Sequence, residues 1–90
     1  MSEPRVTVIT GASQGIGRHL ALTFAAAGDS LVLAARNEAN LEETAAMASD
    51  TGVDVLVVPT DVTDASAVAE MTTAAMGRFG GIDTLVNNSG

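Results

Sequence analysis

Thr10-Gly11-Ala12-Ser13-Gln14-Gly15-Ile16-Gly17 follows the apolar run Val6-Thr7-Val8-Ile9 and leads into an amphipathic segment that begins near Ile16. Strand, glycine-rich turn and helix, in that order, make a cradle for a phosphate group. Gly11 lacks a Cβ and can turn the chain sharply off the strand. Gly15 leaves room where backbone must approach a pyrophosphate, and Gly17 lets the helix lie close against the sheet. The start of the helix adds unpaired N–H groups and the positive end of its dipole. Taken alone, this loop is a weak signal. Its spacing is Gly-x-x-x-Gly-x-Gly, not the dinucleotide fingerprint Gly-x-Gly-x-x-Gly. A triphosphatase loop needs Gly-Lys-Ser/Thr, which is absent here. At this point a glycine-rich turn that binds nothing stands as the other reading.

Outward from the loop, strand and helix patterns alternate, with no linker, repeat or low-complexity segment. The first strand is about 5–10. The first helix runs from about Gly15 to Ala27, with Ile16, Leu20, Phe24 and Ala27 on one face, and Gly28-Asp29 ends it. Residues 30–35 are nearly all apolar, as in a strand buried on both faces. Asn37 can cap a second helix from Glu38 to about Thr51, and a third strand spans 54–59. Thr63 or Asp64 caps a third helix that reaches Phe79 and buries Val68, Met71, Ala75 and Phe79. A fourth strand spans 82–87. Right-handed crossovers of this length make the strands parallel. The expected fold is α/β: a partial doubly wound, Rossmann-like sheet ordered 3-2-1-4 with three helices. Its ligand edge lies beyond the carboxyl ends of the strands, where the glycine loop, Arg36, Asp61 and Asn88 converge.

Composition narrows the function. Ninety residues make one small domain at most. A hydrophobic content of 47% with only 2% aromatic residues leaves Ala, Val and Leu to fill a packed core. There is no cysteine, hence no disulfide or thiol chemistry, and a single histidine makes a transition-metal site improbable. A net charge of −7 argues against nucleic acid and anionic membranes. No apolar stretch is long enough to span a bilayer, and the first residues lack the basic and apolar regions of a signal peptide. A cytoplasmic location is expected.

The convergent motifs resemble those of the short-chain dehydrogenase/reductase family. Residues 10–17 look like its cofactor loop. Asp61-Val62 is similar to its adenine-contacting pair after the third strand. Asn87-Asn88-Ser89-Gly90 is similar to its Asn-Asn-Ala-Gly motif, with Ser89 in place of alanine. The resemblance covers essentially the whole chain, in order and at the expected spacing. It implies that Gly11, Ser13, Gln14, Gly15, Ile16 and Gly17 hold the pyrophosphate side of a dinucleotide. Asp61 would accept a hydrogen bond from the adenine amino group, and Val62 would offer backbone contacts. Asn88, Ser89 and Gly90 would lie near the nicotinamide ribose. NAD-preferring members carry an aspartate at the position matching Ala35. A carboxylate within about 4 Å of a 2′-phosphate would repel it strongly. Ala35 removes that repulsion, while Arg36, beside Asn37, supplies a guanidinium fork and Ser13 a hydroxyl. NADP is the expected cofactor. Gln14 stands where some NADP-preferring members carry a basic residue, which keeps NAD as the alternative.

The resemblance also implies catalytic groups that this sequence lacks. The family's tetrad is an asparagine on the next helix, a serine after the fifth strand, and a Tyr-x-x-x-Lys pair. This chain has no tyrosine, and its basic residues are all arginine. No catalytic residue is therefore assigned here. The 90 residues are expected to be the amino-terminal cofactor-binding part of such an enzyme, ending before the catalytic segment. The complete enzyme would act on a small carbonyl or alcohol substrate, as a homo-oligomer. A stand-alone, non-catalytic dinucleotide-binding or regulatory module is the alternative, and the coding sequence beyond codon 90 discriminates the two. Among the remaining residues, Arg18 and His19 read as surface positions on the first helix. Met47, Met71 and Met76 read as core fillers, and Asp83 as structural. The fourth strand would be an apolar edge, so the isolated chain is expected to associate.

Overall fold

Val6, Thr7, Val8, Ile9 and Thr10 are all buried, so the first strand lies inside the sheet and not at its edge. The computed structural model describes residues 4–88, and among them four strands alternate with three helices. Strand β1 (Val6–Thr10) and strand β2 (Ser30–Ala35) form the centre, flanked by β3 (Val55–Pro59) and β4 (Thr84–Val86). All pairings are parallel and the order is β3-β2-β1-β4, the predicted arrangement. Helices α1 (Gly15–Ala26) and α2 (Glu38–Ser49) cover one face, and α3 (Ala65–Phe79) the other.

Strand alternation divides the core in two. Side chains of neighbouring strand residues point to opposite faces. Ile9, Leu31 and Leu33 pack with Ala21, Ala25, Leu41, Ala45 and Ala48 of α1 and α2. Val6, Val8, Val32 and Ala34 pack with Met71 and Ala75 of α3, where Val68 and Phe79 add half-buried flanks. The starts of α2 and α3 are capped as their sequences predict. Asn37 accepts the Asn40 N–H at 2.9 Å. Of the two candidates for α3, Asp64 is the cap, accepting from the N–H groups of Ser66 and Ala67.

The packing departs from expectation in three places. The buried stripe of α1 is Gly17, Ala21 and Ala25, whereas Ile16 is 71% exposed. Small residues face the sheet because this helix starts tight against the loop, and Leu20 and Phe24 pack from the side. Ala27 lies past the last turn and is exposed. Of Met47, Met71 and Met76, Met71 alone is buried, since Met47 and Met76 sit off the stripes defined by Leu41–Ala45–Ala48 and Met71–Ala75. Strand β4 is three residues, shorter than 82–87. Asp83 meets β1 outside regular pairing: its carboxylate accepts the Val6 N–H at 2.8 Å and its own N–H donates to the Val6 carbonyl. This confirms a structural role for Asp83. Asn87 and Asn88 turn toward Thr10 at the other end.

Candidate functional site

The carboxyl ends of β1 and β4 lie side by side where the strand order reverses, and Thr10 joins them. Its hydroxyl accepts the Asn88 N–H at 2.9 Å and faces two acceptors for its single proton, Asn87 Oδ1 at 3.2 Å and the Val86 carbonyl at 3.4 Å. The Asn88 amide reaches the Gly11 carbonyl at 3.5 Å. The loop is thereby held at its start from β4.

The glycines of the loop answer three different demands. Gly11 has φ +63°, and a Cβ there would meet the Asn88 carbonyl oxygen at 3.0 Å. Gly15 also has positive φ, +57°, but a Cβ there would meet no protein atom within 4 Å. Gly17 allows a close approach, since its Cβ would fall 1.9 Å from the Gly11 carbonyl oxygen and 2.9 Å from the Asn88 amide nitrogen. The third glycine thus lets α1 close on the loop and the Asn88 side chain; packing against the strands themselves is left to Ala21 and Ala25. Gln14 precedes α1 with extended backbone and gives no side-chain cap. The first N–H groups of α1 are therefore available to an anion, which their dipole favours.

Ser13 is half-buried, and its carbonyl accepts from Arg18 Nη2 at 2.8 Å. Arg18 is not the surface residue expected from sequence. Its side chain is 24% exposed and hydrogen-bonds to the loop and to α2. No local pattern could have revealed this, because its partners Asn40, Glu43 and Thr44 lie at least 22 residues away. His19 is exposed, as expected.

At the other end of the edge, the structure brings Arg36 and Asp61 together. Arg36 Nη2 lies 3.2 Å from Asp61 Oδ1, with the side chains 72% and 44% exposed. The same carboxylate oxygen accepts the hydroxyl of Thr63 at 2.6 Å and its N–H at 2.9 Å. The two Thr63 hydrogen bonds hold the Asp61 carboxyl below its ordinary range against the opposing effect of desolvation, and Arg36 adds lesser contributions in the same lowering direction. Asn37 spends its side chain on the α2 cap. Val62 is half-buried and lines a groove of about 240 Å³ with Val8, Val68, Met71, Ile82 and Leu85. Ser89 and Gly90 lie outside the described residues.

A glycine loop, a β1–β4 switch point and a polar pair after β2 and β3 define a Rossmann-type nucleotide fold. Residues 5–90 match the short chain dehydrogenase family, and the chain belongs to it. An 11-beta-hydroxysteroid dehydrogenase A from Sesamum indicum is 51% identical over 87 residues, covering 96% of this chain and 25% of that protein. The L-sorbose reductase from Gluconobacter frateurii, solved with NADPH and L-sorbose, superposes with a TM-score of 0.94 at 42% identity, covering 98% of this chain and 34% of that one. A short chain dehydrogenase/reductase from Burkholderia phymatum, solved with NAD, gives 0.88 at 37% identity, covering 92% and 30%. The chain thus spans between a quarter and about a third of the length of these relatives. Among the described residues, no helix is long and apolar enough to cross a membrane.

Proposed function

We propose that residues 1–90 are the cofactor-binding part of an NADP-dependent short-chain oxidoreductase that interconverts a carbonyl and an alcohol. The observation that carries this reading is the glycine loop held against the uncapped start of α1 where β1 and β4 lie side by side. A loop pinned on one side by Asn88 and Thr10 leaves open room where a Cβ would stand, beside the uncapped start of α1. A pyrophosphate fits both the room and the charge. The proposed contacts run from Gly11, Ser13, Gln14, Gly15, Ile16 and Gly17 at the pyrophosphate to Asp61 and Val62 at the adenine. Asn88, Ser89 and Gly90 would serve the nicotinamide ribose.

NADP is favoured by Arg36, an exposed guanidinium directly after β2, with Ala35 where a competing carboxylate would otherwise stand. Asn37 serves there by starting α2 at once, which keeps Arg36 at the sheet edge. Bound dinucleotide would donate a hydride to the carbonyl carbon when reduced, or accept one from the alcohol carbon when oxidised. This chain's residues would bind and orient it; with no tyrosine or lysine among them, no proton-transfer step is assigned to them.

Calorimetric titration with NADP and NAD tests the reading. NADP is expected to bind more tightly, and Arg36→Ala to cost NADP about 1.5–3 kcal/mol while leaving NAD little changed. Equal or reversed preference in the unmutated protein would sink the NADP assignment. Failure to bind either would sink the dinucleotide reading.

A further inference from the structure

We infer that Arg18, through Thr44, is a positioning residue that aims the N–H groups of the glycine loop at the pyrophosphate. The inference rests on the dinucleotide reading above. Arg18 uses four of the five N–H donors of its guanidinium. Nη2 donates to the Ser13 carbonyl at 2.8 Å and to the Asn40 carbonyl at 3.1 Å, Nε to Thr44 Oγ1 at 2.8 Å, and Nη1 to Glu43 Oε1 at 3.2 Å. Thr44 is fully buried, and because it accepts from Arg18 its own proton is free to donate, to the Ala12 carbonyl at 2.9 Å or the Asn40 carbonyl at 3.2 Å.

Two consecutive loop carbonyls, Ala12 and Ser13, are thus turned toward α2. Among the described residues every peptide bond is trans, and in a trans peptide the N–H points opposite to the C=O. Holding those carbonyls toward α2 therefore turns the N–H groups of Ser13 and Gln14 the other way, out of the loop and ahead of α1. Asn88 holds the Gly11 carbonyl from β4, so the loop is gripped from both sides of the switch point. A planar fork with fixed donor directions can grip in this way; a lysine ammonium, a point charge on a flexible stem, cannot reach the same partners at once. Glu43, 68% exposed, is peripheral to the grip.

The test uses the full polypeptide that carries this sequence and two probes. ADP-ribose contains a pyrophosphate; adenosine 2′-monophosphate lacks one but keeps the adenine and the 2′-phosphate. Arg18→Met and Thr44→Val are each expected to weaken ADP-ribose by roughly tenfold or more, since small displacements of positioning groups carry costs of that order. Binding of adenosine 2′-monophosphate should stay within about twofold, which also shows that the variants are folded. Arg18→Lys should bind ADP-ribose as weakly as Arg18→Met, because the grip needs the fork and not the charge alone. Full rescue by Arg18→Lys would overturn the inference in favour of a charge effect. Equal loss of both probes in Arg18→Met would overturn it in favour of a general structural role, and unchanged ADP-ribose binding would overturn it outright. If the unmutated protein itself fails to bind ADP-ribose, the dinucleotide reading falls and the inference with it, a failure visible before any variant is made.

Discussion

Asp61 is where a single residue's environment has a pH consequence. Its carboxylate is held by two Thr63 hydrogen bonds and one Arg36 contact, so its folded pKa lies below the ordinary value of 3.8. A carboxyl with a depressed folded pKa adds stability that is fully present above its ordinary pKa and is lost as pH falls through the lower folded value. Acid titration of the melting temperature should show this loss beginning below about pH 4. Asp61→Asn should flatten that part of the profile by lowering the melting temperature at neutral pH while leaving the acid end little changed; an unchanged slope below about pH 4 would contradict the assignment. The residue scale is also where sequence reading was most uneven. Gly17 was legible because its neighbours tolerate no Cβ, a demand that a short motif expresses directly. The Arg36–Asp61 pair and the grip of Arg18 were not, since each depends on side chains 22 or more residues apart meeting in space.

Element boundaries follow from local chemistry, and the caps show it. Asn37 and Asp64 each satisfy N–H groups that would otherwise lack partners at the starts of α2 and α3. Asn37→Ala and Asp64→Ala should each cost about 1 kcal/mol in denaturant unfolding. The Asn37 change should in addition weaken any discrimination between NADP and NAD, because Arg36 sits immediately before that cap. Losses well under this size would mean that solvent replaces the caps. The strands were readable from their apolar runs, while the face of α1 was not. Its large residues suggested a stripe through Ile16, Leu20 and Phe24, but the close approach at Gly17 selects the small residues Ala21 and Ala25 for the sheet. Size complementarity between elements outweighed hydrophobic periodicity within one of them.

At the scale of the whole molecule, the two faces of the sheet are unequally covered. Helices α1 and α2 share one face and α3 stands on the other, beside the groove lined by Val62, Met71 and Leu85. Strand β4 is an outer strand of the sheet, and its Leu85 is 63% exposed. Apolar side chains beside a free strand edge favour association. Sedimentation of the 90-residue chain should show self-association that rises with concentration, and Leu85→Lys should reduce it. A cooperatively melting monomer at all concentrations would contradict this. The sequence by itself determined the alternation of strands and helices, the sheet order and the glycine loop, because apolar period, turn chemistry and crossover handedness are local or nearly local constraints. The tertiary structure alone decided which groups hold that loop. Asn88, bonded to Thr10 of β1, grips it from beyond β4, and Thr44 of α2 grips it directly and through Arg18 of α1, an arrangement that exists only once distant segments are packed side by side.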